Sequence, residues 1–501
     1  MSRTRQWAAA ALALSLTLTG CAGGAAGAAD EESTLRWAVT LPAHWDPVVS
    51  GSGAQFRILS LAYASLTEIN EKGEAVPSLA ESWDYNDKGD QVTFHLRPNL
   101  TFSDGTALDA AAVKAYLERA KTQKDSALFG DLTSLKTVTA TSATDVVIDL
   151  TQVDYQIPLL LGERVAQITS PTADPTALDK DPVGAGPFVV TENVPGSHVY
   201  FAKNPDYWDA GNIHIDRVEL LAEPEAATIV AGVQTGVYDL ATLGASQVKA
   251  AEAARLDVVN QPGYNASNIS ININKKPFDN PKIVDAVRYA TNRQEFVDKI
   301  TFGNGSATDQ PFPSNYIAYD QQSANRYPYD LAKAKALIAE AGYRPGEITV
   351  DLVITSLFST AAEIVQSQLA AAGITVNVKV DPNWATPFFA KDLALSLYGT
   401  TGRESPVQTL TAHFGPNGPL NLSTPYEPEG FEAAVAKARQ TPLDSPGYQA
   451  NLQAATRAGL ESRALVFTYS SPNLFVKSTR VSDFAAVPGQ LHWTGLTVAA
   501  S

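Results

Sequence analysis

A chain of 501 residues with a single cysteine must hold its fold together without an internal disulfide, and the position of that residue, Cys21, indicates where the chain works. Ahead of it, Arg3 and Arg5 precede an apolar run, WAAAALALSLTLT, which ends at the small residue Gly20. A basic start, a short apolar stretch and a small residue before the break make residues 1–20 a secretory signal peptide. The run is too short to cross the ~30 Å hydrocarbon core as a permanent helix. Export without cysteine pairs leaves core packing to stabilise whatever folds after it.

Leu18, Thr19, Gly20 and Cys21 resemble the lipobox of bacterial lipoproteins. The resemblance implies that the Cys21 sulfur carries a diacylglycerol and becomes the first mature residue; the alternative is an ordinary cleavage site with a chance cysteine beside it. Two acyl chains, at ~0.8 kcal/mol per buried methylene, suffice for stable anchoring. The Ala/Gly-rich and then acidic stretch up to Thr34 has no apolar period, so residues 21–34 read as a flexible tether.

With 45% hydrophobic and 18% charged residues, the remainder has a globular composition, long enough for roughly three domains. An excess of 53 acidic over 37 basic side chains, net charge −16, argues against nucleic acid or an anionic membrane surface as partner.

Up to residue 268 the texture is rich in strands. TLRWAVT (34–40) and QVTFHLR (91–97) alternate, SLKTVTATSATDVVIDL reads as a hairpin, and a second hairpin turns at Pro195-Gly196. Leu108–Lys121 has helical spacing with Asp109 as N-cap. From Ile269 strands and helices alternate, which predicts a sheet covered by helices. Asn280-Pro281 and Asp330 mark helix starts, and Asn292 with Glu295 has capping-box spacing.

Familiar catalytic patterns are missing. There is no GxSxG and no Gly-Lys dipeptide for a phosphate-binding loop. The six histidines, at 44, 95, 198, 214, 413 and 492, form no HExxH or close pair, which speaks against a protein-built metal site. A pair of carboxylates on distant strands, as in a glycosidase, stays open from sequence. Among the tryptophans, Trp45 and Trp384 flank irregular loops and suit a ligand cleft, with core packing as the alternative role.

Several stretches together resemble the large extracytoplasmic solute-binding proteins of ABC importers, the oligopeptide, dipeptide and nickel-binding cluster. They are VPSLAESWDYNDKGDQVTFHLRPNLTFSDGTALDAAAV, DPVGAGPFVVTENVPGSHVYFAKNPDYWDAGNIHIDRVEL, VAGVQTGVYDLA, PFDNPKIVDAVRYATNRQEFV and YPYDLAKAKALIAEAGY, in family order. The resemblance implies an α/β, two-lobe periplasmic-binding-protein-like fold, type II and of the large class with an extra subdomain in lobe one. Lobe one would take residues 35–268 and 476–501, and lobe two residues 269–475. It further implies a monomeric receptor with no catalytic activity, no cofactor and no metal of its own. Such a receptor closes on a peptide or small polar solute and docks on a permease with its ATPase subunits, outside the cytoplasm.

Peptide-binding members carry an Asp four residues before a proline in a lobe-two loop, where it pairs with the ligand's amine. In LYGTTGRESPV the proline is Pro406 and that position is Gly402. Arg403 and Glu404 follow, one suited to an anionic ligand group and the other to an amine; the alternative is that they pair on the surface. Arg164 falls where nickel-binding members have a cleft arginine, and His413 would be the imidazole of a metal-chelate receptor. The expected cleft set is therefore Trp45, Arg164, Trp384, Tyr398, Thr400, Arg403 and Glu404. Rival readings are a metal-chelate receptor of the same fold and a surface-anchored glycoside hydrolase.

Overall fold

The computed structural model describes residues 32–499 except 51–52, 163, 262, 264–265, 401–404, 485–486 and 488–490. Cys21, the signal peptide and most of the tether therefore lie outside the described residues.

Thr34–Val39, whose alternation reads as a half-buried strand, instead lies at the centre of a seven-stranded sheet, parallel to both Arg217–Ala222 and Leu240–Thr242. Leu35 and Trp37 point into the main core of lobe one, whereas Ala38 points to the other face, into a cluster with Ile229 and Val233 of helix Ala226–Gln234. Both faces are thus buried. The sheet runs on through His198–Lys203 and Phe188–Val194, the hairpin whose turn contains Gly196 at φ 73°.

A separate four-stranded antiparallel sheet forms the extra subdomain, in the order Ala80–Tyr85, Gln91–Leu96, Asp145–Leu150, Leu135–Ala140. Helix Ala110–Thr122 lies on it, and the Asp109 carboxylate accepts the Ala112 N–H at 2.9 Å, as the cap predicts. Across three of these strands His95 bridges Asp145 at 2.7 Å and Asp84 at 3.2 Å. Hydrogen bonding to Asp145 above all raises the imidazole above its ordinary 6.5, with burial working against it. A raised folded value means the charged ring stabilises the sheet fully below 6.5, and that contribution is lost as pH rises through the raised value. Urea unfolding on both sides of that window is expected to show the loss, and His95→Gln to flatten it; an unchanged slope in the variant would remove His95 as its source.

Lobe two carries a six-stranded sheet, ordered Ser306–Ala307, Leu465–Ser470, Ala266–Ile271, Leu395–Thr400, Ile348–Ile354, Ile374–Val380. Helices Pro281–Ala290 and Ser359–Ala372 cover it. Asn280 and Asp330 cap as expected, accepting from Lys282 and Lys333 N–H groups. The capping box at Asn292 does not form, because Gln368 takes both sides of it. Its Oε1 accepts the Asn292 N–H at 3.1 Å, and its Nε2 donates to Glu295 at 2.8 Å.

The chain passes between the two sheets twice. Asp257–Gln261 in the first sheet leads to Ala266–Ile271 in the second, and Leu465–Ser470 leads back to Asn473–Lys477. These strands pair with each other in both sheets, so the two crossings lie side by side. The boundaries drawn from sequence, 268/269 and 475/476, fall inside strands Ala266–Ile271 and Asn473–Lys477.

Candidate functional site

A cavity of about 540 Å³ opens between the lobes. Its lobe-one wall is made by Gly130, Asp131, Thr133 and Ser134, just ahead of strand Leu135–Ala140, and by the segment after strand Asp145–Leu150. There Asp154 folds the chain into an Asx turn, accepting the Gln156 N–H at 3.0 Å, just ahead of the short helix Ile157–Leu160. Ser134 donates to the other oxygen of Asp154 at 2.7 Å. Burial is the largest influence on this carboxyl and raises it above its usual range, against the opposing effects of Arg439 and Ser134.

The lobe-two wall begins with helix Pro406–Phe414. Proline at the first turn and Ser405 as N-cap, accepting the Gln408 N–H at 3.3 Å, make this start legible in the sequence. Contacts cross the gap at several points. Tyr155 N–H donates to the Arg439 carbonyl at 3.0 Å, and Arg439 Nε lies 3.6 Å from Asp154 Oδ2. Gln408 Nε2 donates to the Asp131 carbonyl at 3.4 Å. Tyr448 and Ser405 hydroxyls both donate to Gln156 Oε1, at 3.0 and 3.1 Å.

The residues expected from sequence are dispersed relative to this cavity. Arg164 is buried in an ion pair with Asp131, so it braces a cavity residue without lining the space. Trp45 sits in the lobe-one core, 3% exposed, with its ring 5.7 Å from Phe201, and does not reach the cavity. Trp384 stacks on Phe388 at 4.5 Å and Tyr398 at 5.7 Å, and its indole N–H donates to Ser396 at 2.7 Å. That stack shares an apolar cluster with Ala412, which does line the cavity, so it backs the wall. Thr400 ends strand Leu395–Thr400, and its buried hydroxyl finds no partner among the described residues. Arg403 and Glu404 lie outside the described residues.

His413 is buried between Phe414 and Phe467, with Nδ1 donating to the Thr409 carbonyl at 2.8 Å. Among the described residues no group of three His, Cys, Asp or Glu is placed to hold a metal ion. Nor is any described helix long and apolar enough to cross a membrane.

Residues 74–421 match the family model of bacterial extracellular solute-binding proteins, family 5 (middle region). The chain belongs to that family. Heme-binding protein A of Haemophilus influenzae is 28% identical to this family 5 protein over 387 residues, 69% of each chain. A glutathione-binding protein of Shigella flexneri is 32% identical over 351 residues, 66% of each. The solved structure of the periplasmic binding protein DppA from Helicobacter pylori, in complex with a peptide, shares the fold with a TM-score of 0.80 at 22% identity. That likeness covers 94% of this chain and 98% of the other.

Sequence reading of this family 5 protein missed Asp154, Gln156, Gln408, Arg439 and Tyr448. The one local signal was Asp154 and Gln156 ahead of Pro158, a turn followed by a helix start.

Proposed function

We propose that this protein is the solute receptor of an ABC importer. It closes on a short peptide or another small polar organic solute outside the cytoplasm, as a monomer, and presents it to a permease with its ATPase subunits. One observation supports this most strongly: the cavity takes polar walls from both lobes, joined by two adjacent strand crossings, so a solute that bonds both walls favours closure. The relatives named for glutathione and peptides support the solute class. The metal-chelate alternative is not favoured, since His413 is buried between Phe414 and Phe467 and does not line the cavity. Cys21 is the proposed lipid anchor, and the first strand begins at Thr34, 13 residues later.

Arg403 and Glu404 stay in the proposed site because they immediately precede Ser405, a cavity-lining residue. Mass spectrometry of the purified mature protein is expected to find a peptide or small polar compound bound one to one and released unchanged. Calorimetry with that compound is expected to give at least about tenfold weaker binding for Arg403→Ala, about 1.4 kcal/mol. A compound that leaves chemically altered would contradict the receptor reading, and unchanged affinity would remove Arg403 from the site.

A further inference from the structure

The cavity runs along two antiparallel helices of lobe two, and its two ends differ in charge. Ser405, Gln408, Ala412 and Gly415 line it from one end of helix Pro406–Phe414 to the other, a length of about 13 Å. The neighbouring helix, Phe431–Arg439, runs the opposite way. Phe431 packs on Phe414 with ring centres 5.8 Å apart, while Arg439 reaches Asp154, two residues from the Gln156 that bonds Ser405. Glu432 and Arg439, seven positions apart, share one face of that helix and both line the cavity, about 10 Å from each other along the axis. Arg439 thus stands at the Ser405 end and Glu432 at the far one.

Among the described residues, four charged side chains line the cavity. Asp131 is paired with Arg164, and Asp154 faces Arg439 at 3.6 Å. Glu432 is exposed and has no ion pair or hydrogen bond among the described residues. Lys391 reaches the same end, donating to the Pro419 carbonyl at 2.6 Å, but it neither lines the cavity nor pairs with Glu432. Behind burial, Glu432 is the second cause that raises the Glu427 carboxyl above its usual range, so negative charge gathers there. Helix Pro406–Phe414 adds its C-terminal, negative end at Gly415, where a cation is favoured.

We propose that Glu432 selects solutes bearing an ammonium or guanidinium group on a flexible arm, as on a lysine or arginine side chain, and holds that group at the far end of the cavity. The loop in which peptide-binding members place their amine-reading carboxylate immediately precedes Ser405, at the opposite end of helix Pro406–Phe414. Glu432 is therefore set for a side chain and not for the solute's terminal amine. The assignment rests on the reading of the cavity as the solute site.

The test uses tripeptides of alanine with lysine at the first, second or third position, each matched by a peptide with norleucine there, which keeps the carbon chain without the ammonium. Calorimetry on the purified mature protein is expected to show at least one lysine peptide bound about tenfold or more tightly than its norleucine match. In Glu432→Gln that preference is expected to fall to about twofold or less, with the norleucine peptide bound as by the parent. Glu432 is exposed and unpaired, so this variant is expected to fold normally, and norleucine binding checks that it does. Overall negative charge also favours lysine, but one substitution in a net charge of −16 leaves that bias nearly intact. Equal binding of lysine and norleucine peptides to the parent, or a lysine preference that survives Glu432→Gln, overturns this assignment alone. Failure of every peptide to bind overturns the peptide reading, and the assignment with it.

Discussion

Gly186→Ala is expected to cost about 3 kcal/mol of unfolding free energy, an overpacking penalty at the upper end of its usual range. A Cβ on Gly186 would stand 2.5 Å from the Tyr63 nitrogen and 2.7 Å from the Leu61 oxygen. These are main-chain atoms, so no rotamer change relieves the clash. The segment cannot shift away cheaply either. Gly186 N–H donates to the Ala62 carbonyl at 2.9 Å, Phe188 N–H to the Leu61 carbonyl at 2.9 Å, and Asn204 holds the Gly186 carbonyl at 2.8 Å. Neither Gly184 nor Gly186 has left-handed backbone, so these glycines are needed for close approach and not for a special turn. Chemical denaturation checks this, and a variant within about 0.5 kcal/mol of the parent would show that the contact gives way.

Arg439→Met is expected to weaken solute binding by about tenfold to a hundredfold, roughly 1.4–2.8 kcal/mol. Among the described residues its guanidinium is the cation nearest the buried Asp154 carboxylate, and it comes from the other lobe. Losing it leaves that carboxylate buried without its partner whenever the lobes close, a penalty the open form avoids by hydrating it. Adding Asp154→Asn to Arg439→Met is expected to recover part of the loss. Calorimetry of the single and double variants gives the coupling; equal affinity for Arg439→Met and the parent would mean that this pair has no part in closure.

The fold was legible wherever its causes are local. Asp109, Asn280 and Asp330 each sit a few residues from the N–H groups they cap, and alternation marks Thr34–Val39 as a strand, though it reads as half-buried and Ala38 packs on the second face as well. Local spacing misleads where a distant residue competes: Gln368, 76 positions from Asn292, takes over the hydrogen bonds of the expected capping box. The site is almost wholly of this distant kind. Gln156 meets Ser405 and Tyr448 from 249 and 292 positions away, and no short pattern encodes such a meeting. Tryptophans beside loops looked like cleft residues. Yet Trp45 and Trp384 satisfy their needs close by, one through ring packing on Phe201 and the other through Ser396, and both are buried.

Small-angle X-ray scattering of the protein, stripped of solute and then titrated with the compound it carries from the cell, tests solute clamping between hinged lobes most directly. The radius of gyration is expected to fall in step with occupancy and to recover when the solute is removed. A scattering curve that stays the same at full occupancy would contradict it.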